Sequence, residues 1–290
     1  MPIWKLYDHV IDFVKGTMFS KLAKVYLLSL VERNSLNMWI DEKLRKRYIW
    51  LSTSSTVALF FFVKKYNRSL QSVIDYRALN GITIKNCYPI PRLADLIELL
   101  NKASIFTKID LRWGYNNVYI KEEDKWKIVF ITRWGLFEAT VIYFGFSNVL
   151  ATFQSMMNDI LEDLIHIQLV IVYLNNILIF GTCLKEHRQL IKEMLKRLQF
   201  NDLYAKVEKC FFEQSSIKYL GVIISENKVQ MDEEKLSGVS EWSVPTKVKQ
   251  VQAFLGFVNF YHRFIENFAK ISKPLSDLTK KNSIWTWNKE

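Results

Sequence analysis

The sequence predicts an α+β protein. Three observations lead there. Apolar residues recur at helical spacing in several long segments. Between those segments lie short runs rich in Val, Ile, Phe and Tyr, which suit strands. Strands and helices do not alternate strictly, as they would in a parallel βαβ sheet.

Residues 36–48 predict the first helix, with Leu36, Ile40, Leu44 and Tyr48 four apart on one face. Residues 57–63 and 73–76 predict two strands, and the basic stretch 64–68 between them predicts a hairpin with a charged tip. Strands are expected at 105–111 and 127–132. A helix is expected at 148–165, carrying Phe153, Met157, Ile160 and Leu164. The apolar runs 168–174 and 177–180 flank Asn175 and Asn176. That arrangement predicts a hairpin with the two asparagines in its turn, since Asn tolerates positive φ. Residues 185–200 predict an amphipathic helix. Its basic face holds Lys185, Arg188, Lys192 and Lys196, and its apolar face holds Leu190, Met194 and Leu198. A strand at 219–225 and helices at 232–242 and 247–265 complete the prediction.

The 290 residues are half hydrophobic, enough for a substantial core in one large domain or a few subdomains. Forty Lys and Arg against 29 Asp and Glu leave a formal charge of +11, which suits a polyanionic partner such as nucleic acid. Cys87, Cys183 and Cys210 are odd in number and lack metal-ligand spacing. They fit a reducing compartment better than a secreted one. Residues 1–15 mix charges among apolar side chains, unlike a signal peptide. The apolar run 57–63 is too short to cross a membrane. The expectation is therefore an intracellular, non-secreted protein without a membrane partner.

Three segments carry the chemistry. They are Ile109-Asp110-Leu111-Arg112-Trp113-Gly114-Tyr115, Phe144-Gly145-Phe146-Ser147-Asn148 leading into Ala151-Thr152-Phe153-Gln154, and Tyr173-Leu174-Asn175-Asn176-Ile177-Leu178. Flanking stretches add Asp75-Tyr76-Arg77-Ala78-Leu79-Asn80, Tyr88-Pro89-Ile90-Pro91, Lys209-Cys210, Tyr219-Leu220-Gly221 and Phe254-Leu255-Gly256-Phe257. In this order the chain resembles the reverse transcriptase of gypsy-type long-terminal-repeat retrotransposons over nearly its whole length. The resemblance implies a right-hand polymerase fold. Residues 1–35 would be an N-terminal extension and 36–225 the fingers and palm. Residues 226–290 would be the thumb and the start of a connection toward an RNase H domain that the sequence does not contain, as in a polyprotein fragment.

The implied activity is RNA-directed DNA synthesis on an RNA or DNA template-primer, from deoxynucleotides, with two Mg2+ ions. Such ions activate the attacking hydroxyl and stabilise the leaving group, and they favour carboxylate ligands. Asp110 matches the first catalytic carboxylate, and the Leu111 carbonyl is the expected second metal ligand. Asn175 and Asn176 stand where the family places two aspartates. An amide keeps a carbonyl oxygen but no charge, so metal binding should be weakened or lost. A rate loss of ~10³-fold or more follows from losing several kcal/mol of transition-state stabilisation. A pseudoenzyme, a non-catalytic nucleic-acid-binding protein and a functionless relic are all compatible with that loss. The resemblance further assigns Lys64, Lys65 and Gln71 to the triphosphate, with Gln71 where arginine is usual. Tyr115 would lie under the sugar, with Phe144 and Gly145 lining the nucleotide pocket. Tyr219, Leu220, Gly221, Lys185, Arg188 and Lys192 would contact primer and template. Asp75 and Arg77 read as a structural ion pair.

Other positions depart from the family in a common way. Arg47 and Arg68 stand where glycine is usual, Trp50 and Cys87 where arginine is usual, and Leu51, Leu150 and Ser243 where proline is usual. Together with Gln71 and the two asparagines, each change needs only one C-to-T or G-to-A transition. The pattern predicts decay of a repeated element by cytosine deamination, with modest destabilisation from lost turn glycines and prolines.

Overall fold

The computed structural model describes residues 7–17, 25–64, 68–91, 96, 98–100, 103–112, 114–281, 283 and 285–287. The first helix, α1 (Leu30–Arg45), begins earlier than its apolar spacing suggests. Ser29 and Glu32 form a reciprocal capping box that starts it. It also ends before residue 48. Arg47 takes a left-handed backbone (φ 58°), its N–H bonds the Leu44 carbonyl, and the Tyr48 N–H reaches the Lys43 carbonyl at 2.9 Å. This is a Schellman ending with arginine where glycine is favoured.

Five strands form the first sheet. They are β1 (Ile49–Leu51), β2 (Ala58–Lys64), β3 (Leu70–Asp75), β5 (Val129–Thr132) and β6 (Gly135–Ala139), in the order β1-β6-β5-β2-β3. The β2–β5 pair is parallel and the others antiparallel. The β2–β3 hairpin expected from the sequence is present, with Lys64 opposite Leu70. After β3 comes the short α2 (Arg77–Ile82), where Arg77 holds Asp75 through two bonds of 2.9 and 2.6 Å.

A second, four-stranded sheet runs β7 (Val170–Tyr173), β8 (Asn176–Gly181), β4 (Ile105–Asp110), β9 (Phe211–Gln214). Its strands β7, β8 and β4 are buried on both faces while the edge strand β9 is exposed, which is why residues 168–180 read as a nearly continuous apolar run. Along β8, Ile177 and Ile179 enter a large core with Ile109, Phe153 and Met157. Leu178 and Phe180 point the other way, into a smaller core with Phe106, Ile217 and Tyr219.

Helices α3 (Val149–Ile160) and α4 (Glu162–His166) replace the single helix expected at 148–165; the break falls at the fully buried Leu161. Helix α5 (Leu184–Phe200) matches its prediction. The strand expected at 219–225 is instead a hairpin of β10 (Ser216–Tyr219) and β11 (Val222–Ser225). Leu220 and Gly221 both have positive φ and form its turn. With β12 (Lys228–Met231) these strands make a third sheet. Helices α6 (Glu233–Ser240), α7 (Val248–Asn259) and α8 (Phe268–Leu278) follow. No helix of the described residues is long and apolar enough to cross a membrane.

Residues 7–17 strap onto this body. Ile11 is fully buried, and His9 is bridged to Ile120. The His9 ring is 1% exposed, with Nδ1 2.8 Å from Thr152 Oγ1 and Nε2 unpartnered among the described residues. Burial lowers its pKa to about 4, against a smaller upward pull from Asp124. An unfolded histidine protonates near the usual value, whereas the folded one resists until about pH 4. The stability from a neutral His9 is therefore complete above about pH 6.5 and is lost as pH falls toward 4. We expect denaturant unfolding to show His9 contributing about 2 kcal/mol less at pH 5 than at pH 7. The His9→Gln variant should lack that component; an identical pH dependence in both proteins would contradict the assignment.

Candidate active site

Asp110 ends β4 and pairs directly with Asn176 at the start of β8. Beyond it the chain is gripped from both sides. The Leu111 N–H donates to the Asn175 carbonyl at 2.8 Å, and the Arg112 N–H donates to the Tyr204 carbonyl at 2.7 Å. The Asp110 carbonyl accepts the Lys206 N–H at 2.7 Å. These bonds fix the carboxylate and the hairpin tip side by side on rigid strands.

The hairpin turn differs in detail from the expectation. Tyr173 pairs with Asn176, so the two turn residues are Leu174 and Asn175. The left-handed backbone falls on Leu174 (φ 54°), at the first central position where glycine is favoured. Asn176 is already in the strand. A leucine there costs roughly 1 kcal/mol or more, so something must hold it. Gln154 on α3, fully buried, does so: its Oε1 accepts the Leu174 N–H at 2.8 Å. Its Nε2 donates to the Val172 carbonyl at 3.1 Å and to Asn158 Oδ1 at 2.8 Å. Asn158 in turn donates to the Tyr88 hydroxyl. Gln154 lies in the Ala151-Thr152-Phe153-Gln154 stretch, but its role is not legible there, because its two bonds to the hairpin span 18 and 20 residues and leave no periodic signal. Replacing Gln154 by Leu strands buried backbone groups of the hairpin, and urea unfolding should show a loss of about 3 kcal/mol. A loss below about 0.5 kcal/mol would show the brace to be idle.

A cleft of about 500 Å³ opens at Asp110. Leu111, Tyr115, Phe144 and Asn175 share its lining, so five of the residues singled out from sequence meet there. Tyr115 is nearly buried and packs edge-on to Phe144 (centroids 4.6 Å apart) and against Phe153 (5.2 Å). Phe144 is 66% exposed and forms an outer wall. A side chain at Gly114 would be crowded: a Cβ would lie 3.0 Å from Phe153 Cζ and 3.3 Å from Asn175 Cβ. Gly145 has φ 94°, and its carbonyl accepts from Asn80 Nδ2 at 2.8 Å. Asn80 Oδ1 takes the Ser147 N–H, and Asn148 donates to the Ile84 carbonyl, so 144–148 is laced onto 80–86. Asn80 and Asn148 are positioning residues that no spacing rule would have found.

Other expected site residues lie outside the cleft lining. Lys64 and Gln71 stand exposed on β2 and β3, with Gln71 opposite Val63. Lys65 lies outside the described residues. The Tyr219 hydroxyl donates to the Asn176 carbonyl at 3.2 Å, so the β10–β11 turn with Leu220 and Gly221 is tied to the hairpin. Burial raises the Tyr219 pKa, keeping the hydroxyl a donor. On α5, Arg188 grips Glu213 in a bidentate pair (2.7 and 2.8 Å), while Lys185 and Lys192 are exposed.

The cleft's charges are few. Asp110 and Glu208 are its carboxylates, facing Arg112, Lys206 and Lys209. Lys209 Nζ lies 3.9 Å from Asp110 Oδ2, and Lys206 Nζ lies 3.6 Å from Glu208. Among the described residues no group of three or more His, Cys, Asp or Glu could hold a metal ion.

A mixed sheet, a second sheet carrying an acidic strand end beside a tight hairpin, and an aromatic-walled cleft define a nucleotide-polymerase palm with its neighbouring layer. The chain belongs to the reverse transcriptase (RNA-dependent DNA polymerase) family, whose profile matches residues 63–224. It is 37% identical over 211 residues to the retrovirus-related Pol polyprotein from transposon 297 of Drosophila melanogaster, covering 73% of this chain and 20% of that one. It is 32% identical over 262 residues to the Tf2-7 transposon polyprotein of Schizosaccharomyces pombe, covering 90% and 20%. The chain thus spans about a fifth of the length of these relatives. The fold matches the foamy viral protease-reverse transcriptase in complex with an RNA/DNA hybrid, with a TM-score of 0.81 at 22% identity over 96% of this chain and 37% of that one. It also matches the same viral enzyme in its dRH form with double-stranded DNA, at a TM-score of 0.83 and 23% identity, over 95% and 48%. The right-hand reverse-transcriptase fold predicted from the motifs is therefore present.

Proposed function

We propose that this chain is the reverse-transcriptase part of a gypsy-type retrotransposon polyprotein in which nucleotidyl transfer is disabled. Residues 36–103, with a return through 125–144, would be the fingers. Asp110 and the Asn175–Asn176 hairpin would form the palm site, and residues from about 226 onward the thumb and partial connection. The observation that carries the reading is the clamp between Leu111 and Asn175 at 2.8 Å, with Asp110 paired to Asn176. It supports a retained scaffold in which two charges are missing from the place where a metal pair needs them. A two-ion mechanism uses hard anionic ligands. The residues that meet here do not fit that pair: the hairpin offers two neutral amides, and the cleft's two carboxylates, Asp110 and Glu208, already face Lys209 and Lys206.

Template-primer recognition does not need the lost carboxylates. Phosphate contacts come from lysines and arginines, and the formal charge of +11 supports such a contact. The purified protein should bind an RNA/DNA or DNA duplex with an affinity that falls steeply as salt rises, and should give no primer extension with Mg2+ or Mn2+. Template-dependent extension at an ordinary rate would overturn the reading.

A further inference from the structure

The mismatch between the cleft and a pair of divalent ions has a consequence for its ligand. We propose that the cleft at Asp110 takes the polyphosphate of a nucleoside triphosphate directly on Lys206 and Lys209, so that Mg2+ weakens nucleotide binding instead of supporting it. This rests on the reading above, in which Asn175 and Asn176 leave the site short of metal ligands.

The argument is electrostatic. A cluster of three carboxylates repels a triphosphate and accepts it only behind a screen of divalent cations. In this chain the hairpin contributes neutral amides to that cluster, and three cations of the lining, Arg112, Lys206 and Lys209, face two carboxylates. The carboxylates are already engaged: Asp110 with Lys209 at 3.9 Å and Glu208 with Lys206 at 3.6 Å. Both lysine side chains are partly exposed, Lys209 by 57% and Lys206 by 39%, so their ammonium groups can turn to a phosphate without being dragged out of a core. Lys206 and Lys209 sit on one short turn whose backbone is anchored by the bond from the Lys206 N–H to the Asp110 carbonyl. Tyr115 and Phe144, in the same lining, form an aromatic pair that suits a sugar or base. The volume of about 500 Å³ is within the range of small-ligand sites.

A magnesium ion bound to the triphosphate removes two of the negative charges that the lysines recognise. Ion pairs at partly exposed sites are individually weak, so losing two of them should shift affinity by about fivefold.

The test is calorimetric titration of the full chain with deoxythymidine triphosphate, in EDTA and in millimolar Mg2+, with inorganic tripolyphosphate as a second probe. Binding of both probes should be about fivefold tighter in EDTA. Lys209→Ala should cut that difference to about twofold, and the Asn175→Asp, Asn176→Asp double variant should reverse its sign. Tighter or equal binding in Mg2+, absence of binding in either condition, or a Lys209→Ala variant that behaves like the parent would each overturn the proposal. Primer extension by the parent would instead overturn the functional reading itself. A parent that fails to extend yet binds the triphosphate better with Mg2+ would overturn this inference alone.

Discussion

Replacing Asn175 and Asn176 together by aspartate is expected to raise Mg2+-dependent primer extension by ~10²-fold or more over the parent, because two ligand charges of a metal pair return at once. The geometry favours the repair. Asn and Asp are nearly isosteric, and the turn strain lies on Leu174, which the repair leaves alone. Gln154 continues to hold the Leu174 N–H. Either single change should recover much less, since groups that act as one unit are not additive. Full activity should not return. Gln71 on β3 lacks the charged fork that an arginine offers a phosphate, so adding Gln71→Arg should give a further clear gain. Asp110→Ala in the repaired protein should abolish extension; repaired activity that survives this change would show that the metal site lies elsewhere.

A second large effect is expected in stability. Placing glycine at Arg47, Arg68 and Asp202 should together raise stability by roughly 3 kcal/mol and the melting temperature by roughly 6–12 °C. Arg47 (φ 58°) and Arg68 (φ 61°) are the two arginines at positions where the resemblance leads one to expect glycine, and both have left-handed backbones. Asp202 (φ 51°) was not suspected from sequence. It ends α5 in the same manner as Arg47 ends α1: the Asp202 N–H bonds the Gln199 carbonyl and the Leu203 N–H bonds the Leu198 carbonyl at 2.8 Å. Glycine is the favoured residue at that position of a Schellman motif. Glycine converts to either arginine or aspartate by a single G-to-A transition, so the decay hypothesis accommodates all three positions. Glu213 (φ 52°) fits the same rule, but its bidentate pair with Arg188 would be lost with it. Thermal unfolding of the triple variant decides the matter; an unchanged or lower midpoint would show that these positions carry no strain worth relieving.

Much of the architecture was legible because its signals are local or periodic. The apolar stripe of α5, the β2–β3 hairpin and the doubly buried run through β7 and β8 all follow from patterning. The capping box of Ser29 and Glu32 was present in the sequence and would have placed the start of α1 correctly. The break at Leu161 had no such marker: neither Gly nor Pro stands there. The misread strand at 219–225 has a different cause. Gly221 was visible as a turn residue, but Leu220 beside it, with φ 48°, looked like one more apolar strand residue. At the site, Asp110, Leu111, Tyr115, Phe144 and Asn175 were named from motifs and share one cleft. Gln154, Asn80 and Lys209 stood within the motif stretches but had no role there, because each acts through a contact between segments remote in sequence. Such contacts leave no spacing to read.

The loss of a metal pair at Asp110 is the central expectation. Counting bound Mn2+ by electron paramagnetic resonance, with template-primer and a non-hydrolysable deoxynucleotide present, measures this directly. The parent should show no tightly held Mn2+ beyond what the nucleotide carries free in solution, while the Asn175→Asp, Asn176→Asp variant should hold two tightly bound ions in total, one of them shared with the nucleotide, and Asp110→Ala should remove the pair. Two tightly bound ions in the parent, lost on Asp110→Ala, would contradict the account.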